Sequence, residues 1–287
     1  MADDYHALAP AKLNLVLEVL GPRPDGYHEI DTVFQEIALA DRVTVSFGGA
    51  DGVTVSGPYA AGTPCDATNL AWRAAEQLAA RAGRTTAGLS IHLHKEIPPA
   101  GGLGGGASDA AAVLKLLAAA WPGVTPEMVR SVAEEIGSDE VFFLVGGTAR
   151  GRGRGEVVTP LPSLPLHDVV LFIPAATIER KTAQMFAALD ALPFEPGHAT
   201  EKLASVLPGS VTPADLSNTF ERVAWEIFPG LDRLRHAVEG RIAGPVRLAG
   251  AGPTLFWIGP PGKGRPVAAA AAGLDCTVVL TSTAAPR

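Results

Sequence analysis

Between Ile97 and Ala111 the chain reads Ile-Pro-Pro-Ala-Gly-Gly-Leu-Gly-Gly-Gly-Ala-Ser-Asp-Ala-Ala, a glycine run set between a strand-like and a helix-like segment. Glycines there let the backbone approach a ligand closely, and the helix start offers unpaired N–H groups plus roughly half a positive charge. Such a loop holds an anion without basic side chains. Ser108, in the first helical turn, adds a hydroxyl that can reach a phosphate or a metal-bound oxygen. No Gly-Lys-Ser/Thr follows, so this is not a Walker A motif. The stretch Gly102-Leu103-Gly104-Gly105-Gly106-Ala107 fits a loose dinucleotide fingerprint, but no acid ends a strand about twenty residues further on. A phosphate cradle, a dinucleotide site and glycines packed tightly around no ligand are the three readings of the run.

Lys12 and Asp139 form a second candidate pair. Lys12 shares one face of an alternating segment with Asn14, and by itself reads as a strand lysine reaching for solvent. Asp139, in Gly137-Ser-Asp-Glu140, stands just past a well-capped helix and by itself reads as a turn residue. Around a nucleotide, however, an acid and an amine are what phosphoryl transfer to an alcohol uses: the acid takes or orients the hydroxyl proton, and the amine stabilises the transferring group. Asp25-Gly26-Tyr27-His28 is either an ordinary turn or a polar-substrate contact beside the Lys12 strand. His92 and His94 alternate on one strand face with no third ligand evident and read as solvated. Gly250-Ala-Gly252 is a second glycine turn, a β-corner or a place where another backbone approaches the site.

These residues must be carried by elements whose signals are local. Ala11 to Leu20 alternates as a strand, as do Arg42 to Phe47 and Leu89 to Leu93. Period 3.6 predicts helices over Asp66 to Ala82, with Asp66 or Thr68 as cap, and over Ser108 to Trp121. Thr125-Pro126-Glu127 opens another that runs to Gly137. The apolar run Val141 to Val145 reads as a strand, and Arg150-Gly-Arg-Gly-Arg-Gly155 as a hairpin rather than an RNA-binding tract. Pro160, Pro162 and Pro165 mark a boundary. Beyond it come a strand at Val169 to Ile173, helices over Lys181 to Leu192, Ser217 to Phe228 and Leu231 to Glu239, and strands at Val246 to Leu248, Leu255 to Ile258 and Thr277 to Thr281. Mixed elements in both halves, without regular βαβ alternation, point to an α+β protein of two parts.

Composition narrows the ligand class. With 30 acidic against 23 basic residues the net charge is -7, so no whole-protein field draws in a nucleic acid or an anionic membrane. Only six of the 287 residues are lysines, which singles out a lysine inside an apolar run. Cys65 and Cys276 are isolated, giving neither a disulfide framework nor a CxxC metal site. The opening Met-Ala-Asp-Asp has no signal-peptide pattern, and the expectation is a soluble, cytoplasmic protein.

Taken together these segments resemble the GHMP kinase superfamily. The resemblance is carried by Ala9-Pro-Ala-Lys-Leu-Asn-Leu15, Arg23-Pro-Asp-Gly-Tyr-His28, Ile97 to Ala111, Ile136-Gly-Ser-Asp139 and Leu248-Ala-Gly-Ala-Gly252, in order along nearly the whole chain. The lysine strand joined to Asp-Gly-Tyr-His speaks for the branch acting on a cytidyl substrate. The resemblance implies an N-terminal ATP-binding domain over 1–160, of the ribosomal protein S5 domain 2-like type, and a C-terminal GHMP kinase substrate domain over 161–287, with ATP and substrate meeting between them.

It implies an ATP-dependent kinase for the 2-hydroxyl of a cytidine diphosphate-linked methylerythritol, in the non-mevalonate route to isoprenoids. A kinase for mevalonate or homoserine is the alternative within the class; a nicotinamide oxidoreductase and a non-catalytic nucleotide-binding module lie outside it. On this resemblance Asp139 is the base or orienting acid, and Lys12 holds Asp139 and the γ-phosphate. Asn14, Tyr27 and His28 face the substrate, Thr182 and Phe186 lie on the same side with Phe186 stacking on cytosine, and Asn69 contacts adenine. Pro99, Ala100, Gly101, Gly102, Leu103, Gly104, Gly105, Gly106, Ala107, Ser108 and Asp109 form the ATP-binding stretch. Mg²⁺ bridges the ATP phosphates, the protein offering no carboxylate cage. The partner is a small molecule, with no nucleic acid or membrane; monomer and homodimer are both compatible. The chain departs from the family pattern at Ala107-Ser108-Asp109, usually Ser-Ser-Asn, and at Glu140-Val141, usually Val-Pro.

Overall fold

The computed structural model describes residues 4–175 and 178–284, and it divides into two compact units that interleave along the chain. Unit one takes residues up to Ala11, Leu39–Pro99 and Gly104–Gly146; unit two takes Lys12–Ala38, Ala100–Leu103 and the chain from Gly147 onward. The expected boundary after Pro160 falls inside unit two. Two long strands, β1 (Tyr5–Pro22) and β2 (His28–Phe47), supply residues to both.

In unit one, β3 (Gly52–Ser56) runs parallel to β4 (Leu89–His94), which pairs antiparallel with Arg42–Phe47 of β2. Leu89, Ile91 and Leu93 of β4 are buried while His92 between them is exposed, as period two requires. The helices α1 (Leu70–Arg81), α2 (Gly105–Ala120), α3 (Pro126–Ile136) and α4 (Glu140–Val145) pack on one another. Helix α3 follows its start signals: Thr125 Oγ1 accepts from the Met128 N–H at 3.3 Å, Pro126 opens the first turn, and Val129, Val132, Ala133 and Ile136 form the buried stripe.

Two local expectations fail in this unit. The cap of α1 is Asn69, whose Oδ1 accepts from the Ala71 N–H at 2.9 Å, whereas Asp66 is spent on the Thr68 N–H and hydroxyl. The expected strand over Val141 to Val145 is α4. A short apolar run has no period to tell helix from strand. Asp139 already sits in helical backbone, Gly146 at φ +75° ends the helix, and its last turn is tied to α2 by the Lys115 ammonium, which donates to the Phe143 carbonyl at 2.7 Å.

In unit two, β5 (Thr148–Gly153) pairs with Ile30–Gln35 of β2 and with β6 (Val157–Pro160), so the Arg-Gly repeat is a hairpin. Arg150 is held there by Asp31, its Nε 2.9 Å from Oδ1. The strands β7 (Asp168–Ile173), β9 (Arg247–Leu248), β10 (Leu255–Gly259) and β11 (Thr277–Ser282) make an antiparallel sheet ordered β11-β7-β10-β9; β8 (Ser217–Asn218) instead runs parallel to Val16–Leu17 of β1. Helices α5 (Lys181–Leu189), α6 (Ala199–Val206), α7 (Glu221–Ile227), α8 (Leu231–Ile242) and α9 (Gly264–Ala270) complete the unit. The helix expected from Ser217 starts only at Glu221, because the Asn218 side chain donates to the Leu248 and Gly250 carbonyls and keeps its own segment extended. The α+β expectation holds. Among the described residues no helix is long and apolar enough to cross a membrane.

Candidate active site

The face of β1 that carries Lys12 and Asn14 is not a solvated one. Residues 11–17 are all buried, Lys12 at 4% exposure and Asn14 at 3%, so Lys12 does not reach out to water. Its ammonium donates to Asn14 Oδ1 at 2.7 Å and lies 5.6 Å above the Phe34 ring. Asn14 Nδ2 in turn donates to Thr32 Oγ1 at 2.8 Å, and Thr32 donates to the Val16 carbonyl at 2.6 Å. Each acceptor is satisfied by the next donor, which fixes the direction of the buried cation.

The first half of the glycine loop lies in the same unit as Lys12. The Lys12 N–H donates to the Leu103 carbonyl at 2.9 Å, and the Thr254 N–H to the Gly101 carbonyl at 3.3 Å. Gly102 has φ +84°, and a Cβ on it would lie 1.9 Å from the Ala249 carbonyl oxygen. Gly250, at φ +50°, would carry a Cβ 2.8 Å from the Gly102 carbonyl and 3.2 Å from Lys12 Nζ. The second glycine turn is therefore the place where another backbone approaches the loop. Asn218 and the Lys181 ammonium, which donates to the Gly252 carbonyl, hold that turn.

From Gly104 the loop belongs to unit one. Gly104 caps α2 at φ +74° with no side-chain cap, which leaves the first-turn N–H groups for another acceptor. Ser108 Oγ is buried without a hydrogen-bond partner. The parallel pair β3–β4 is bridged by α1 and precedes the loop, whereas the chain after α2 continues into α3 and α4, so the glycine loop does not open the helix of a parallel βαβ unit and the dinucleotide reading loses its structural context. Asn69 is buried in the same unit, its amide donating to the Pro64 carbonyl at 2.7 Å while its oxygen caps α1. Asp139, partly exposed, is the N-cap residue of α4. The expected Lys12–Asp139 pair thus draws one residue from each unit.

Asp109, a departure from the family pattern, is met by a cation nearby. Lys95, 3% exposed, is paired with both Asp109 and Asp41, and Asp41 Oδ1 accepts from the Glu96 and Ile97 N–H groups at 2.6 and 2.8 Å. Two buried carboxylates share one ammonium. Burial, despite Lys95 and with Asp41 adding to it, pushes Asp109 from its ordinary 3.8 up to about 7. A folded-state pKa above the unfolded one means that protonation favours the folded chain: this stabilisation is complete below pH 3.8 and is lost as pH rises through about 7. The melting temperature of the parent should accordingly fall relative to Asp109→Asn between pH 4 and pH 8, by several degrees. Parallel melting curves across that range would sink the assignment.

The turn after β1 and helix α5 build an aromatic site within unit two. Phe186 stacks on His28 with centroids 4.4 Å apart and 16° between planes, and Asp190, one helical turn further along, takes His28 Nε2 at 2.7 Å. The end of α5 grips one imidazole by face and edge. Tyr27 is half exposed, with the Arg154 guanidinium 4.6 Å from its ring centre, and Thr182 is exposed on α5. Asp190, Arg154, Thr32 and the Asp41–Lys95 pair were not singled out by type or spacing. His92 and His94 both hydrogen-bond Ser56 Oγ at 2.9 Å. Among the described residues no group of three or more His, Cys, Asp or Glu is placed to hold a metal ion.

A glycine loop opening a buried helix, a buried strand lysine and a mixed α+β architecture define a GHMP kinase, and the GHMP kinases N terminal domain family matches residues 69–147. A protein of Dehalococcoides mccartyi named 4-diphosphocytidyl-2-C-methyl-D-erythritol kinase is 41% identical over 252 residues, 87% of each chain; one of that name from Pelotomaculum thermopropionicum is 38% identical over 98% of each. The crystal structure of a 4-(cytidine 5'-diphospho)-2C-methyl-D-erythritol kinase superposes with a TM-score of 0.80 at 34% identity, covering 98% of this chain and all of that one. The chain belongs to the 4-diphosphocytidyl-2-C-methyl-D-erythritol kinase family.

Proposed function

We propose that this chain transfers the γ-phosphoryl group of ATP to the 2-hydroxyl of 4-diphosphocytidyl-2-C-methyl-D-erythritol, giving the 2-phosphate and ADP in the non-mevalonate route to isoprenoids. The observation that carries the reading is the buried Lys12 ammonium, fixed by Asn14 and set against Gly250, the turn that meets the glycine loop at Gly102. A buried, oriented cation beside a glycine loop suits an anionic group whose charge shifts during reaction.

The loop N–H groups from Gly104 onward cradle the phosphates, and Asn69 borders the adenine. His28, Tyr27 and Phe186 receive the cytosine, a flat base offered to flat side chains. Asp139 orients the 2-hydroxyl and takes its proton as the oxygen–phosphorus bond forms and the bond to the β-phosphate oxygen breaks. Lys12 stabilises the charge on the transferring group. Mg²⁺ would be carried on the ATP phosphates and would neutralise their charge, and Ser108 Oγ, buried without a partner in the loop helix, is an oxygen that would meet it.

The test is ADP release from purified protein given ATP and each of three alcohols. Release that depends on the cytidyl substrate is expected. Release with mevalonate or homoserine instead would reassign the substrate, and ATP binding without alcohol-dependent turnover would leave only a nucleotide-binding module.

A further inference from the structure

Glu140 follows Asp139 directly and opens α4 in unit one. It is 2% exposed. Its carboxyl turns back beneath the turn that presents Asp139: a Cβ on Gly137 would lie 2.6 Å from Oε2 and 2.8 Å from Oε1, so the side chain fills a notch that only glycine leaves open. The N–H groups of Asp139 and of Glu140 itself donate to this carboxyl, while Oε2 has no hydrogen-bond partner. The carboxyl is thus wedged against the backbone of the residue that carries the candidate base.

We propose that Glu140 is a positioning residue for Asp139, its buried carboxyl filling the Gly137 notch and holding the Asp139 N–H so that the Asp139 side chain keeps one direction. The proposal rests on the reading of Asp139 as the base or orienting acid. Neutral Glu140 leaves Asp139 as the one negative charge of the turn. Ionised Glu140 would be a second carboxylate on the neighbouring residue, buried and calling for water that only an opened turn admits. Burial first, and the Asp139 charge second, push Glu140 up to about 7, so this change falls within the working pH range.

The charged groups around it leave that balance in place. Arg73 on α1 acts against the upward shift but does not cancel it. Lys115 on α2 donates to the Phe143 carbonyl, in the last turn of α4. On α3, Glu134 is bonded by Arg130 and Glu135 by Arg81, both on the outer surface.

The experiment measures kcat and the KM for ATP of the parent, Glu140→Gln, Glu140→Ala and Asp139→Asn from pH 6 to 8.5, with melting curves for each. Gln keeps the shape and an acceptor for the Asp139 N–H but cannot ionise. The expected result is a Glu140→Gln to parent ratio of kcat near one at pH 6 that rises several-fold through pH 7 to 8.5. Glu140→Ala, which empties the notch, should lose about tenfold in kcat with the ATP KM within twofold. A ratio that stays flat with pH overturns the proposal, and so does full activity in Glu140→Ala. If Glu140→Ala fails to fold, the Gln profile alone decides. Loss of activity in Asp139→Asn together with a flat Glu140→Gln ratio sinks this proposal and spares the reading of Asp139; retained kcat in Asp139→Asn overturns both.

Discussion

Asp139→Asn lowers kcat by about 10²- to 10⁴-fold and leaves ATP affinity unchanged, the range a positioned general base supplies. Expressed as a barrier the loss is about 3 to 5 kcal/mol. The amide has the shape of the carboxylate but cannot take the hydroxyl proton. Asp139 is the N-cap residue of α4 yet makes no side-chain capping bond, so the amide removes no cap from that helix. The melting temperature should move by no more than a few degrees. Turnover by ADP release and ATP binding by calorimetry, on the same preparation, separate chemistry from binding. If most of kcat survives, Asp139 is neither base nor essential orienting acid.

Gly102→Ala should weaken ATP binding by at least about 100-fold, close to 3 kcal/mol. Two costs combine at this position. The backbone is left-handed at φ +84°, which a side chain makes unfavourable by roughly 1–2 kcal/mol, and the added carbon would lie 1.9 Å from the Ala249 carbonyl oxygen. Relief requires the loop to withdraw from the Gly250–Gly252 turn, and with it the Leu103 carbonyl that accepts from the Lys12 N–H. Gly106→Ala is the control. A Cβ there meets only Leu70 Cδ1 at 3.4 Å, in backbone that any residue adopts, so binding should stay within a few-fold. Equal ATP affinity in both variants, with native circular dichroism, would show that the loop does not hold the phosphates.

Much of the scaffold follows from local chemistry. Thr125-Pro126-Glu127 starts α3 because a hydroxyl, a fixed φ and an acid each satisfy the exposed N–H groups of a first turn, wherever the helix then packs. The alternation of Leu89, Ile91 and Leu93 makes β4 for an equally local reason. Elements without such signals are not legible locally. Residues 141–145 lack any period, and their helical state comes from packing against α2. Asn69 displaces Asp66 as a cap because Asp66 closes its own local turn with Thr68. Ser217 and Asn218 stay extended because partners some thirty residues away at Leu248 and Gly250 claim the Asn218 amide.

An acidic, lysine-poor chain must hold an anion by local means. The parts that do so are legible locally: a glycine loop before an alanine-rich helix, a lysine and an asparagine two residues apart on a strand, an aspartate past a capped helix, and the Tyr-His turn. These are short-range patterns, and short-range sterics and hydrogen bonding decide them. What the parts do to one another follows from folding. Lys95 reads as one lysine among six until folding brings Asp41 and Asp109, 54 and 14 residues away, onto its ammonium. Gly102 reads as a ligand-facing glycine until the Ala249 carbonyl, far along the chain, is found against it. His28 acquires its stacking and hydrogen-bonding partners only from α5. Burial and charge pairing depend on contacts between distant segments, and such contacts leave no period or spacing in the sequence to be read.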